Sequence, residues 1–495
     1  MPHAQDTRQG ITSPSMPVEP TGLWARPAGY RDVLRIAVPL ALSTGSWSIQ
    51  HFVDRMFLSW YSTATLAASP PAGMFAFTVM SFFVGTASYV SAFVAQYHGA
   101  GRPERIGPAI WQALYFSLGA GLVFLAFVPL SDAIFAVVGH EARLRDLESR
   151  YFRVVMLAAV FPVYNNALAS YYTGLGRTWP VMWVNVLITA INLVLDYAMI
   201  FGRWGFPEWG IEGAAWATNI ANACGAVVYT LLVFSRRAQR EHATRSGWRF
   251  DGALFRRLMR FGGPSGLHLL LEVLAFSFFY FIMGRIGTTA LAATVLAFQI
   301  NTLAFLPLLG FGFATSAMVG QWLGRDNPRL AARATWSAFQ LTFAYTGSIA
   351  VLYVATPGLF ISPFGPRANP GEFAEVARLA RWMLWFVAAY SICDSMNVIF
   401  SAALKGAGDT RFVMYSSVAL AWSIMVGPTW WVAERHGGGV FAAWTFCSIY
   451  VWILGVIFLV RFLRGKWRAM RVIEKTTPGP IAAPLPETPT AEADM

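Results

Sequence analysis

The feature that most constrains this chain is a succession of long apolar segments with almost no charge inside them. Twelve are long enough to cross about 30 Å of hydrocarbon as helices. They run over residues 33–58, 67–97, 109–131, 152–173, 179–201, 212–234, 255–284, 291–322, 332–360, 378–403, 412–433 and 439–463, and are called spans 1 to 12. The runs are continuous and do not alternate, so helices are expected and barrel strands are not. The 495-residue chain is 56% hydrophobic and 13% charged, with a mean hydropathy of +0.49. That is about half the charge share of an ordinary soluble domain. One water-soluble core cannot hide so much apolar surface.

The ends differ in kind. Residues 1–28 and 467–495 are rich in Pro and polar residues and read as disordered tails. The first has no apolar core of the sort a cleavable signal needs. Between them lie an N-lobe (29–234), a basic linker loop (235–254) and a C-lobe (255–466). The net charge of +12 does not mark a nucleic-acid binder, because the basic residues alternate between loops and form no stripe. The loop joining spans 6 and 7 carries Arg236, Arg237, Arg240, Arg245, Arg249, Arg256, Arg257 and Arg260. An excess of this kind marks the cytoplasmic side. Both termini are therefore expected in the cytoplasm of a multi-pass inner-membrane protein.

The chain also repeats itself. Ser91–Ala113 aligns without gaps on Ser316–Ala338, with nine identities in twenty-three positions. The same offset pairs Arg35 and Pro39 with Arg260 and Pro264. Later, Gly174-x-Gly176-x-Thr178 matches Gly406-x-Gly408-x-Thr410, and Ala214-Ala215-Trp216 matches Ala442-Ala443-Trp444. Chance similarity of apolar sequence does not explain matched Gln, Arg, Pro and Gly. Because six is an even number, the halves insert in the same direction. The expected fold is all-α: twelve transmembrane helices as two parallel six-helix repeats around a central cavity, an architecture of secondary transporters.

Enzyme signatures are missing. There is no phosphate-binding Gly-x-x-x-x-Gly-Lys-Ser/Thr run and no Gly-x-Ser-x-Gly elbow. Gly406-x-Gly408 follows a helix and lacks the strand context of a dinucleotide site. Cys224, Cys393 and Cys447 all lie in apolar runs, and the seven His lack metal-ligand spacing. No catalytic residue, nucleotide or cofactor is expected, and the chain is expected to act as a monomer on a small organic molecule.

Four acids fall inside spans: Asp54, Asp196, Glu272 and Asp394. An acid in mid-span costs about 2.5–3.5 kcal/mol on insertion scales, so such groups are expected to face a cavity and to serve a function. Helix-to-helix hydrogen bonding is the competing explanation. Span 5 places Asn185, Thr189, Asn192 and Asp196 on one face, and span 1 places Ser43, Trp47, Gln50 and Asp54 likewise. Span 6 adds Thr218, Asn219 and Asn222. Together these offer carboxylates, amides and a hydroxyl to a proton or a small hard cation. His51 before Asp54, His268 before Glu272 and Asn397 after Asp394 are candidate relay or cavity groups. The aromatics of span 2 (Phe75, Phe77, Phe82, Phe83) and span 7 (Phe276, Phe278, Phe279, Tyr280, Phe281) are expected mostly in packing or against lipid, yet rings beside carboxylates also suit flat organic cations.

These residues carry a resemblance. Phe52-Val53-Asp54, Val94-Ala95-Gln96-x-x-Gly99-Ala100-Gly101-Arg102, Gly174-Leu175-Gly176-Arg177-Thr178 and Asn192-x-x-x-Asp196 occur in order. They are followed by Phe201-Gly202-x-x-Gly205-x-Pro207, Gly213-Ala214-Ala215-x-Ala217-Thr218, Leu271-Glu272-Val273, Met318-Val319-Gly320-Gln321, Asp394 and Lys405-Gly406-x-Gly408-Asp409. The chain resembles the multidrug and toxic compound extrusion (MATE) transporters, nearest their NorM-like bacterial branch, from about Tyr30 to Arg461. The resemblance implies two six-helix lobes in a V and exchange of protons or Na⁺ for organic, cationic or aromatic compounds. It maps an N-lobe cation site, open to Na⁺, onto Asp54, Asn192, Asp196 and Thr218, and a C-lobe acidic site onto Glu272 and Asp394. Three positions depart from the family pattern: Arg55 after Asp54, Trp47 where Gln is frequent, and Phe298 before Gln299 where His is common. Gln299 is kept as a candidate cavity residue. The competing function is a flippase for a lipid-linked or amphipathic substrate, which calls for a basic central cavity and often two further helices.

Overall fold

A computed structural model describes residues 22–138, 140–364, 370–435 and 439–474, and these are helical nearly throughout. Among the described residues, ten helices are long and apolar enough to cross a membrane. They include Thr63–Gly99 (span 2), Pro103–Phe127 (span 3), Trp179–Phe201 (span 5), Ile211–Val233 (span 6), Gly252–Ile286 (span 7) and Val440–Leu463 (span 12). Span 4 is an eleventh made of two pieces, Ala142–Leu157 and Val160–Gly174, bent by 43° where Ala158 and Ala159 interrupt the helix. Its first piece starts earlier than the sequence indicates and includes Arg143, Arg145 and Arg150, which precede the expected start at 152.

Span 1, Tyr30–Tyr61, is 32 residues long but is not as apolar as the others. Ser43, Thr44, Ser46, Ser48, Gln50 and His51 dilute its middle. Most of that polarity is turned onto a neighbour. Ser43 accepts a hydrogen bond from Asn185, and Thr189 donates to the Ser46 carbonyl at 3.4 Å. Spans 1 and 5 are thus joined by a polar seam that lipid could not have satisfied.

The repeat is visible in the backbone. Pro39 lies inside span 1 and its counterpart Pro264 inside span 7. Each half builds its own core, with Phe93, Phe124, Phe152 and Tyr229 fully buried in the N-lobe and Phe279, Phe400, Trp444 and Phe458 in the C-lobe. Phe298 stacks on Trp444 at 4.9 Å. Most of the span aromatics pack inside the lobes, as Phe83 does on Phe124, while Phe75, Phe278 and Phe281 stay exposed.

The lobes meet along one half of their length, the half beside the basic loops. Span 1 closes on span 8 (Thr288–Gly324), where Thr44 donates to the Leu306 carbonyl at 3.0 Å and a Cβ on Gly310 would meet the Ala41 backbone at 2.5 Å. Span 2 closes on span 7, where a Cβ on Gly266 would meet the Phe82 carbonyl at 2.2 Å. Gly99 and Gly324 allow the ends of spans 2 and 8 the same close approach. Toward the opposite end the partners turn outward, and Trp47, Phe52 and Trp60 of span 1 are exposed.

Two segments expected to be loose are placed. Residues 22–28 end with Ala28 fully buried, its carbonyl accepting from Ser337 at 3.0 Å. Residues 467–474 run beneath the lobes. Trp467 stacks on Phe462 at 4.8 Å, and Val472 is buried and donates its N–H to Gln96 Oε1 at 2.8 Å. Buried apolar groups and satisfied backbone hold these stretches, which corrects their assignment to the tails. Residues 1–21 and 475–495 lie outside the described residues. The 235–254 loop contains a short helix, Arg236–His242, and docks on the N-lobe, where His242 Nδ1 meets the Tyr171 hydroxyl at 2.8 Å.

Candidate functional site: a carboxyl pair in the N-lobe

Spans 1, 5 and 6 bring four of the sequence candidates together. Asn192 and Asp196 are fully buried, one turn apart on span 5. With its amide oriented to satisfy its neighbours, Asn192 donates to Asp54 Oδ1 at 3.0 Å and to Asp196 Oδ2 at 3.2 Å, and accepts from Thr218 Oγ1 at 3.2 Å. The Asp54 and Asp196 carboxyl groups are themselves within hydrogen-bonding reach of each other. Asp196 Oδ1 is buried and has no hydrogen-bond partner among the described residues. Two carboxylates cannot both stay charged in contact, so the pair requires a proton or a cation between them. The carboxylate oxygens are donors of the kind a hard cation prefers, while Asn192 turns its N–H groups toward them and its oxygen toward Thr218.

The pair lies nearer one end of its helices than their middle. Asp54 is seven residues from the end of span 1 at Tyr61, and Asp196 is five from the end of span 5 at Phe201. At about 1.5 Å per residue both lie within roughly 10 Å of the open end. The expected bounds already place them there: span 5 is observed at 179–201 as expected, and span 1 is about three residues longer at each end. Gln50, one turn before Asp54, is buried beside Asn192.

His51 does not act as a partner of Asp54. Its ring packs edge-on against Trp47 at 5.0 Å, and Trp47 also meets Phe77 at 6.1 Å. Trp47 is half exposed and off the polar seam, where Ser46 takes the place expected of it. Of the span 6 candidates only Thr218 joins this group, through its hydrogen bond with Asn192. Asn219 donates to the Val154 carbonyl at 2.6 Å, and Asn222 accepts from Asn165 at 2.9 Å through its own carbonyl, so both tie span 6 to span 4. Arg55 is exposed and makes no ion pair with Asp54, but it is near enough to act electrostatically on Asp54 and on Tyr280 of the other lobe. It stands between the lobes.

The C-lobe holds a second polar group. Glu272 and Asp394 are close enough for their charges to interact, and Asn397 donates to Asp394 Oδ1 at 3.3 Å. His268 is buried, bonded through Nε2 to Ser417 Oγ at 2.9 Å, with Nδ1 3.6 Å from Glu272 Oε2. Lys405 Nζ comes within 3.4 Å of the same Nδ1. Lys405 and Ser417 were not predicted as site residues. Lys405 stands next to the Gly406-x-Gly408 motif, which was the available signal, whereas nothing in the sequence distinguishes Ser417 from other span serines. Gln299 is exposed and enters neither cluster.

Comparison with known proteins bears on the fold. The family model described as MatE matches residues 39–198 and 264–431, one stretch in each lobe. The chain belongs to the MATE family. A NorM-named protein of Bradyrhizobium diazoefficiens is 28% identical over 436 residues, 88% of this chain and 93% of that one. Among solved structures, one described as the outward-facing conformation of a multidrug resistance MATE family transporter superposes with a TM-score of 0.81 at 20% identity, covering 88% of this chain and 95% of that one. A transporter of the MOP superfamily from Pyrococcus furiosus superposes at 0.79 and 20%, with coverage of 88% and 95%, and its description reports a binding pocket of reversed polarity and a different function. The MATE fold is therefore secure for this chain, with twelve helices in two repeats, and the chemistry must be read from its own residues.

Proposed function

We propose that this MATE protein is a secondary active antiporter that exports organic compounds, cationic or aromatic in character, in exchange for protons or Na⁺. The observation that carries the reading is the contact of Asp54 with Asp196 through Asn192, beside a buried carboxylate oxygen with no hydrogen-bond partner among the described residues. A site of that kind is stable only when it holds positive charge, so gain and loss of the ion change its energy in every cycle. The NorM name of the relative supports the cargo class.

The mechanism is alternating access. With the basic end cytoplasmic, the lobes are sealed inside and parted outside. The ion enters from the open side, joins the two carboxyls and favours the state that lets cargo go. When the lobes reverse, the ion leaves and the next cargo binds. Coupling requires only that each ligand prefer a different state. Each charge descending a potential of about 100 mV supplies about 2.3 kcal/mol for export. Arg55, standing between the lobes, repels a cationic cargo from the ion-loaded mouth and so assists its release. In the flippase alternative the central cations would be unopposed, whereas Arg55 and Lys405 here both have an acid nearby.

The deciding experiment is dye efflux from proteoliposomes under pH and sodium gradients imposed separately. Efflux driven by one of them supports the antiporter and names the ion. Equal efflux with neither gradient overturns it.

A further inference from the structure

Below the C-lobe, between the third turn of span 7, the start of span 11 and the segment 469–473, lies a cleft of about 460 Å³. Its charged lining is Arg260, Asp409, Arg411 and Arg471. Two of these are already matched: Asp409 pairs with Arg461 at 2.7 Å, and Arg471 with Asp326 at 2.9 Å. Among the described residues, Arg260 and Arg411 have no carboxylate at ion-pair distance, and both are exposed. The cleft therefore carries two uncompensated guanidinium groups on different helices.

Its depth relative to lipid is marked by the sequence around Arg411. Span 11 starts at Thr410, and Tyr415, one turn beyond Arg411 on the same face, is 67% exposed. An exposed Tyr beside a helix-end Arg is the pattern of the membrane–water boundary. The cleft thus opens at headgroup level. Guanidinium groups bind phosphate oxygens in a fork that an ammonium cannot reproduce, and basic pockets between helix ends attract anionic headgroups.

We propose that this cleft binds the phosphate of an anionic phospholipid headgroup, clamped by Arg260 and Arg411 against the wall formed by residues 469–471. The same phosphate chemistry could come from the free anion, so the test contains both sources. Native mass spectrometry of the full chain from detergent is run with phosphatidylglycerol, with phosphatidylcholine and with millimolar inorganic phosphate as competitor. The wild type retains phosphatidylglycerol at least tenfold over phosphatidylcholine, and the free anion does not displace it. In R260Q/R411Q the preference falls about tenfold, and in R236Q, an exposed arginine away from the cleft, it is unchanged. Equal retention by the wild type and a folded double variant overturns the proposal, and displacement by inorganic phosphate overturns the lipid as its source. Should the double variant aggregate, R411Q alone carries the same test, since its side chain is exposed at a helix start.

Discussion

Gln96 of the N-lobe donates to the Gly406 carbonyl of the C-lobe at 2.9 Å, and its repeat counterpart Gln321 donates back to the Gly174 carbonyl at 2.8 Å. Gly174 and Gly406 are themselves counterparts in the repeat. Each half thus contributes one donor and one acceptor to the seal at the basic end. A neutral hydrogen bond contributes about 1 kcal/mol net. Gln96→Ala with Gln321→Ala should therefore weaken the sealed state by about 2 kcal/mol, roughly thirtyfold in population. Amide exchange at residues 97–102 and 322–327 should quicken by about that factor. No change would mean that the contacts are incidental to closure.

Gly266 tests closure from the steric side. A Cβ there would meet the Thr86 hydroxyl at 2.1 Å and the Phe82 carbonyl at 2.2 Å, and backbone cannot rotate away as a side chain can. Gly266→Leu should insert and fold each lobe, yet hold spans 2 and 7 apart and stop efflux. Spin-label distances between the lobes at the basic end should lengthen by several ångströms, the scale of a side chain wedged into a helix contact. Wild-type distances in an active variant would refute this.

The acid pair makes a sharper demand. Asp196→Asn removes the charge competition and leaves Asn192 a poorer set of acceptors, so gradient-driven efflux should fall at least a hundredfold while membrane insertion is kept. Thr218→Val, which takes away one oxygen donor but no charge, should weaken a sodium-driven flux about tenfold and leave a proton-driven one nearly intact. Flux measurements on the two variants under each gradient distinguish these outcomes.

Glu474 allows a prediction about pH. Burial raises its pKa, but a backbone hydrogen bond, the Tyr97 hydroxyl at 2.8 Å and the charges of Arg105 and Arg257 outweigh this and hold the carboxyl down at about 2. A depressed acid stabilises docking above its ordinary pKa, near 4.5, and loses that contribution as pH falls toward 2. A nitroxide at Ala469 should stay immobile from pH 7 to about pH 4.5 and loosen progressively below it. In Glu474→Gln it should be mobile at pH 7. Identical spectra would show that Trp467, Val472 and the Arg471–Asp326 pair hold the segment without Glu474.

The spans and the repeat were legible because lipid forces apolar residues into continuous runs and because Gln, Pro and Gly recur at matching positions. The acid pair was legible for a related reason: period 3.6 puts Asn192 and Asp196 on one face, and few sequences keep such groups in an apolar helix without need. Other features depended on contacts between elements distant in sequence. Trp47 and His51 fit the same periodicity as Asp54, yet they turned to each other, a choice set by Phe77 of span 2. Lys405 reaches His268 only after spans 7 and 10 have packed. Residues 467–474 look like tail because their partners, Gln96 and the arginines around Glu474, lie hundreds of positions away.

In the antiport proposed above, the position of Asp54 and Asp196 near the open end of their helices has an electrical consequence. With water filling the parted half of the V, most of the membrane voltage falls across the closed half, beyond the two acids. An ion arriving from outside senses only a small part of that field before it binds. The main electrical work is then done when the lobes swing and carry the loaded site across the field, so applied voltage should alter the rate of reversal much more than the affinity for the ion.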